Sequence, residues 1–160
     1  MSFVIQMKGS EIKMDLSERK KMIQKGFDTV AAGYDHPSLS FFPETARRLI
    51  AHLDLQPDQH VLDVCTGTGR VSIPVAEALP QGHVTGIDLS GGMLQQAKNK
   101  AAAIGLCNTE FIQMDLERLS MQALNRALPF DIATCSFGLF FVEDMTAALG
   151  NIAGTGKPGG

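Results

Sequence analysis

Three aspartates, Asp63, Asp88 and Asp115, each stand at the end of a short apolar run: VLDV, VTGID and FIQMD. The first run leads into a turn, Cys65-Thr66-Gly67-Thr68-Gly69. Carboxylates placed this way accept hydrogen bonds from hydroxyl groups and attract cations. A glycine turn between a strand and a helix presents backbone N–H groups to an anion. One chemistry this suggests is dinucleotide binding: Gly67-x-Gly69-x-x-Ser72 approximates the glycine fingerprint, and Asp88 lies about twenty residues on, where a ribose hydroxyl would meet it. Two features oppose that reading. Asp63 would face a pyrophosphate with like charge, and instead favours a ligand bearing an ammonium. Asp115 then repeats the pattern, so that a parallel sheet would line up all three carboxylates along one edge. The plainer alternative is that each aspartate caps the helix that follows it.

The elements that must position these residues alternate. A helix is predicted from Ser17, as N-cap, to Ala31-Ala32-Gly33, where Tyr34-Asp35-His36-Pro37 breaks it. Pro43 starts a second helix with Ala46, Leu49, Ile50 and Leu53 on one face. Strands are predicted over 60–65, 83–88, 109–114 and 130–137, and helices over 70–79, 91–105 and 143–153. Ser90 is the N-cap and Gly105 the left-handed stop of the helix over 91–105. Residues 116–128 are mixed helix and loop. Strand and helix alternating at this spacing give right-handed crossovers, hence an α/β fold with a doubly wound parallel sheet and helices on both faces. The chain divides into a leader over 1–16, N-terminal helices over 17–55, and a core over 56–160. The fourth strand, with Ile132, Ala133 and Cys135 apolar on both faces, reads as central.

Bulk properties narrow the function further. The 160 residues suit one domain, and 44% apolar against 19% charged residues is a globular balance. A net charge of −3 gives no field for gathering nucleic acid. The basic clusters Arg19-Lys20-Lys21 and Arg47-Arg48 are expected to face solvent. Cys65, Cys107 and Cys135 are odd in number and far apart, which argues against a disulfide framework or a zinc site and fits a reducing cytoplasm. His36, His52, His60 and His83 lack ligand spacing, so no metal is expected. No apolar run approaches the roughly 18 residues of a membrane span, and there is no signal-peptide pattern.

VLDVCTGTGR, GIDLSGGMLQQAK, FIQMDLERL and FDIATCSFGLFFVED resemble, in order and spacing, the successive motifs of class I S-adenosylmethionine-dependent methyltransferases, in particular the ubiquinone/menaquinone-biosynthesis type. The resemblance runs from about Phe27 to the end of the chain. It implies a Rossmann-like three-layer αβα core with S-adenosyl-L-methionine as cofactor. On that reading Asp63 meets the ammonium, directly or through water, and the backbone of Gly67, Thr68 and Gly69 meets the carboxylate. Asp88 takes both ribose hydroxyls. Leu89 and Met93 pack on the adenine, and Asp115 with the backbone of Leu116 reads its edge. Thr68 and Ser136 line the pocket. The segment FDTVAAGYDH resembles the part of the family that closes over the cofactor. Tyr34 there either covers the sulfonium, a cation–π contact of about 0.5–2 kcal/mol, or simply packs with its hydroxyl at the surface. The family's turn often begins with glycine, whereas here Cys65-Thr66 precede Gly67; Cys65 reads as packing, not as a nucleophile.

Methyl transfer from a sulfonium needs in-line positioning more than an acid or base, and no catalytic dyad is apparent. His36 is either a base toward a phenolic acceptor or an exposed loop histidine. Phe137, Leu139, Phe140 and Phe141 either form a rim for an apolar, aromatic small-molecule acceptor such as a quinone precursor, or are partly core. The family's pattern continues beyond Lys157-Pro158-Gly159-Gly160, so the C-terminal strands are expected to be missing from this sequence. Two functions therefore stay open: a methyltransferase, or a cofactor-binding fragment without turnover, with a nicotinamide-binding protein a distant third. An uncovered fourth strand would also invite homodimer formation through residues 130–137.

Overall fold

The computed structural model describes residues 15–39 and 41–158; most of the expected leader, residues 1–14, lies outside them. In chain order the regular elements are α1 (Leu16–Val30), α2 (Phe41–Ala51), β1 (His60–Val64), α3 (Ser72–Ala78), β2 (His83–Asp88), α4 (Gly91–Ala103), β3 (Thr109–Gln113), β4 (Ile132–Cys135) and α5 (Met145–Ala153). Four strands form one sheet in the order β3-β2-β1-β4, all parallel. The reversal of strand order falls between β1 and β4, where a doubly wound sheet opens a crevice beyond its carboxyl ends.

The core follows from the pleat. Successive side chains of a strand point to opposite faces, so Val61 and Leu62 enter different clusters. Leu62, Val64 and Ile87 pack with Leu116, Leu119, Phe130 and Ala148 on one side. Val61 and Val84 pack with Ala46, Val71, Val75 and Leu79 on the other. A smaller cluster joins Leu94, Ala97 and Ala101 of α4 to Phe111 of β3. Val75 and Leu79 are fully buried, each worth about 1.5–3 kcal/mol of transfer free energy.

The termini of the helices show which local signals were decisive. Ser90 caps α4 by accepting the Met93 N–H at 3.1 Å, and Gly105 takes φ 73° beyond its end. Ser17 is not a cap: α1 begins at Leu16, and the Ser17 hydroxyl donates to the flanking Asp15. α2 starts two residues before Pro43, and α3 is shorter than predicted because Arg70 and Val71 belong to the preceding turn.

The fourth strand is also shorter than predicted. It ends at Cys135 because Phe137 adopts φ 60° and turns the chain. Nor is it central among the described strands: it lies at the sheet edge, with Ala133 exposed. Only its approach is covered, by a parallel bridge between Phe130 and Gly156 in which Phe130 N–H donates to Thr155 O at 2.9 Å. Among the described residues no helix is long and apolar enough to cross a membrane.

Candidate functional site

A cavity opens beyond the carboxyl ends of the strands, under α1. It is lined by Asp63, Gly67 and Thr68 from β1 and its turn, Asp88, Leu89 and Met93 from β2 and α4, Asp115 and Leu116 after β3, Ser136 after β4, and Tyr34 from the N-terminal segment. Ten of the eleven site residues expected from the sequence thus meet in one place. The exception is Gly69, which does not line the cavity. A side chain at Gly69 would come within 3.0 Å of Ile73 and 3.2 Å of Ala97, so this glycine serves the packing of the turn on α3 and α4.

Every second residue of the turn is left-handed: Cys65 at φ 56°, Gly67 at φ 56° and Gly69 at φ 79°. Glycine adopts this conformation at no steric cost, but cysteine does not. That explains why the first turn position more often carries glycine in the family the sequence resembles. A side chain at Gly67 would meet nothing within 4 Å, so its backbone is open to a ligand.

The three carboxylates share the cavity but differ in what already occupies them. Asp63 is 2% exposed. Its Oδ2 accepts from Thr66 Oγ1 and Ser72 Oγ, both at 2.6 Å, and its Oδ1 accepts from Thr134 Oγ1 at 2.7 Å. Burial holds its carboxyl above the usual range, opposed by those hydroxyls. Asp63 therefore ties β1, the turn, α3 and β4 together, a role the sequence reading did not foresee.

Asp115 caps the short 3-10 turn Leu116–Arg118 by accepting the Glu117 N–H at 3.0 Å, as the plainer alternative had it. Its other oxygen accepts from Lys20 Nζ at 2.8 Å, and Lys20 also pairs with Glu117. Lys20 is thus not a solvated surface charge. Burial pulls its ammonium down, but Asp115 and Glu117 outweigh that and hold it above 10.5.

Asp88 alone has no side-chain partner among the described residues. Gly67 N–H donates to Oδ2 and Ser90 N–H to Oδ1, both at 2.8 Å. Each oxygen keeps acceptor capacity for one more hydrogen bond. Burial pushes its carboxyl up, against the pull of those two backbone donors.

Aromatic rings roof the cavity. Phe27 meets Phe141 edge-on at 5.2 Å, Tyr34 stacks on Phe42 at 5.7 Å, and Phe42 meets Phe137 edge-on at 5.2 Å. Of the expected rim, Phe137 and Phe141 line the cavity, Leu139 packs on the core, and Phe140 is exposed. His36 bonds to Ser38 and does not line the cavity. Burial raises the Tyr34 hydroxyl, with Arg70 opposing.

Two aspartates latch this N-terminal segment down. Asp28 Oδ1 accepts from Ser90 Oγ at 2.5 Å and Gly92 N–H at 2.8 Å, at the start of α4. Asp35 accepts from Thr68 Oγ1 at 2.8 Å, Arg70 at 2.9 Å and Lys100 at 2.8 Å. Burial works to raise the Asp35 carboxyl, but Lys100, Thr68 and Arg70 outweigh it and hold it below the usual range. Asp28, Phe42 and Arg70 were not singled out from the sequence, and Lys20 was expected to face solvent. Asp28 had a signal, since it falls within FDTVAAGYDH; Lys20 and Arg70 had none, because their partners are remote in the chain.

The comparisons with known proteins agree with this geometry. A family described as a methyltransferase domain matches residues 61–160. The chain is 35% identical over 156 residues to a ubiquinone/menaquinone biosynthesis C-methyltransferase of Geotalea daltonii, covering 91% of this chain and 63% of that protein. It is 33% identical over 141 residues to an aklanonic acid methyltransferase of a Streptomyces species, covering 88% and 62%. It thus spans a little under two thirds of these relatives. A methyltransferase of Thiobacillus denitrificans, solved with S-adenosyl-L-homocysteine, superposes with TM-score 0.61 at 29% identity over 74% of this chain and 46% of that one. Magnesium protoporphyrin IX methyltransferase of Synechocystis shares the fold, with TM-score 0.73 at 20% identity over 92% of this chain and 74% of that one. The chain belongs to the class I S-adenosylmethionine-dependent methyltransferases.

Proposed function

We propose that this chain binds S-adenosyl-L-methionine in the cavity under α1 and methylates a small aromatic acceptor there. The observation that carries the reading is Asp88: a half-buried carboxylate, fixed by two backbone donors, with acceptor capacity left on both oxygens. That pair of acceptor oxygens fits a vicinal diol, and the bare Cα of Gly67 leaves room for a ligand beside it. When bound, the cofactor supplies a methyl group on a positively charged sulfur. The chain's own residues position and enclose. Leu89 and Met93 offer an apolar wall for the adenine, with Leu116 and Ser136 completing the lining. Asp115 reaches the adenine edge only by sharing its carboxylate with Lys20. Asp63 acts through the turn it braces, since three hydroxyls already hold it. Tyr34, under Phe27 and Phe42, excludes water and places a ring near the cation.

The acceptor side is apolar and aromatic, formed by Phe27, Phe42, Phe137 and Phe141. This supports a planar aromatic or quinone-type acceptor, in keeping with the names of the relatives. A cytoplasmic setting and a homodimer through the exposed β4 edge belong to the same proposal.

Calorimetric titration with S-adenosylhomocysteine and with NADH separates the cofactor classes. The expected result is saturable binding of the first and none of the second; the reverse overturns the reading. Turnover against phenols and quinols then decides between an active methyltransferase and a binding fragment, and sedimentation tests the dimer.

A further inference from the structure

The thiols of Cys65 and Cys135 are seventy residues apart in sequence and neighbours in space. Val64, just before Cys65, is the Cα partner of Cys135 in the pairing of β1 with β4. Both sulfurs crowd the same bare glycine: a Cβ on Gly138 would lie 2.4 Å from Cys65 Sγ and 3.2 Å from Cys135 Sγ. Each cysteine is half-buried, and Cys65 lines the cavity. Each also begins or precedes a left-handed elbow, at Cys65 itself and at Phe137. Non-glycine residues in that conformation store strain that small rearrangements release.

We infer that Cys65 and Cys135 form a peroxide-sensitive thiol pair whose disulfide closes the cofactor site. The pair is asymmetric. Cys65 lowers the Cys135 thiol, helped by the N–H groups of Gly138 and Leu139 against burial, whereas Cys65 is pushed up by facing Cys135 and by burial. Cys135, whose sulfur the N–H groups of Gly138 and Leu139 face, is the sulfur oxidised first, because the thiolate is the nucleophile. A hydroperoxide gives one oxygen to the Cys135 thiolate: its O–O bond breaks, the sulfur becomes a sulfenic acid, and the other oxygen leaves as water or alcohol with a proton. The Cys65 sulfur then attacks the sulfenic sulfur, forming the S–S bond as the S–O bond breaks. Water leaves, carrying the Cys65 proton. Two equivalents of an external thiol reverse the sequence by exchange.

The bond joins the end of β4 to the first residue of the elbow, so drawing the sulfurs together shifts the backbone leading into Gly67 and Gly138. Ligand and bond then oppose each other: the bond weakens binding, and bound ligand slows the bond, as linkage requires. Cys107, exposed beside Gly105, takes no part.

The effect on binding rests on the cofactor reading above; the bond itself does not. The test treats the reduced full chain with hydrogen peroxide and maps its peptides without reduction, alongside titration with S-adenosylhomocysteine. The expected product links the Cys65 and Cys135 peptides, forms more slowly with S-adenosylhomocysteine present, and is cleaved by dithiothreitol. Affinity falls by about tenfold or more on oxidation, a shift well outside titration error, and returns on reduction. Cys107→Ser responds as the natural chain does. Cys135→Ser, whatever its starting affinity, loses the response to peroxide. A Cys135 that stays reduced, or passes to sulfinic acid without the link, overturns the pairing. A link that changes affinity less than about twofold overturns the switch. A reduced chain that does not bind S-adenosylhomocysteine overturns the cofactor reading and the switch together, while the peptide map still decides the pairing.

Discussion

The floor and the roof of the cavity are built by different physics. The floor is main chain and fixed carboxylates: parallel strands end side by side, a left-handed turn brings Gly67 to the cavity, and Asp63 and Asp88 are held by donors from the same few loops. The roof is aromatic edges and ion pairs reaching between distant segments, such as Asp35 to Lys100 and Lys20 to Asp115. Floor residues carry the fold as well as the site, whereas roof residues hold the N-terminal segment over the cavity. Changes in the floor should therefore cost folding stability, and changes in the roof should cost affinity with little loss of stability.

The sharpest test of that contrast is Asp63→Ala. It leaves three hydroxyls, from Thr66, Ser72 and Thr134, without their acceptor in a buried place. At about 1–3 kcal/mol for each buried group left unsatisfied, the loss should be about 3 kcal/mol or more. Denaturant midpoints measure it; a change within about 0.5 kcal/mol, the size of an ordinary surface substitution, would erase the distinction between floor and roof.

Gly86→Ala comes next. A methyl group there lies 2.8 Å from Phe111 and 3.0 Å from Thr66 Cγ2. Overpacking of this kind costs about 1–3 kcal/mol, read in the same unfolding experiment.

Among roof residues, Asp35→Asn should lower affinity for S-adenosylhomocysteine by about twofold to fivefold, the scale of a partly screened ion-pair cluster, and leave the thermal midpoint nearly unchanged. Lys20→Gln should be smaller still, within about 0.4 kcal/mol, or twofold, in either readout.

Acidity separates the two regions without mutation. Asp35 lies below the usual carboxylate range, so its latch is present above the unfolded value and is lost only as pH falls through that lowered folded value. Lys20 is raised, so its contribution is complete below its ordinary 10.5 and fades only above it. Asp88 is raised, so on acidification it takes up a proton before Asp35 does, turning an acceptor oxygen into a donor. Affinity should therefore fall with pH while the N-terminal segment stays docked. Titrations paired with limited proteolysis of that segment check the order; docking lost before affinity would reverse it.

The same contrast explains what was legible in the sequence. β2 appears at its predicted bounds, and β1 within one residue, because period-two apolar patterning and turn residues are local signals. The site residues on the floor lie one after another in quoted motifs, so their types announced them. Lys20 and Arg70 did not: a lysine at position 20 looks like any solvated charge until α1 is laid across Asp115. The pairing of Cys65 with Cys135 was invisible for the same reason, since strand order alone makes them neighbours. The extent of β4 was misjudged because an apolar composition does not tell an edge strand from a central one, and because Phe137 is not a residue type that advertises a left-handed turn.

The central claim is that Asp88 holds the ribose of the cofactor. Its most direct test is the dissociation constant of S-adenosylhomocysteine for the natural chain and for Asp88→Ala, measured by calorimetry at neutral pH on samples shown to be folded. Loss of charge-assisted hydrogen bonds worth about 1.5–3 kcal/mol predicts binding weaker by about tenfold to a hundredfold. Constants that agree within about twofold would contradict the account.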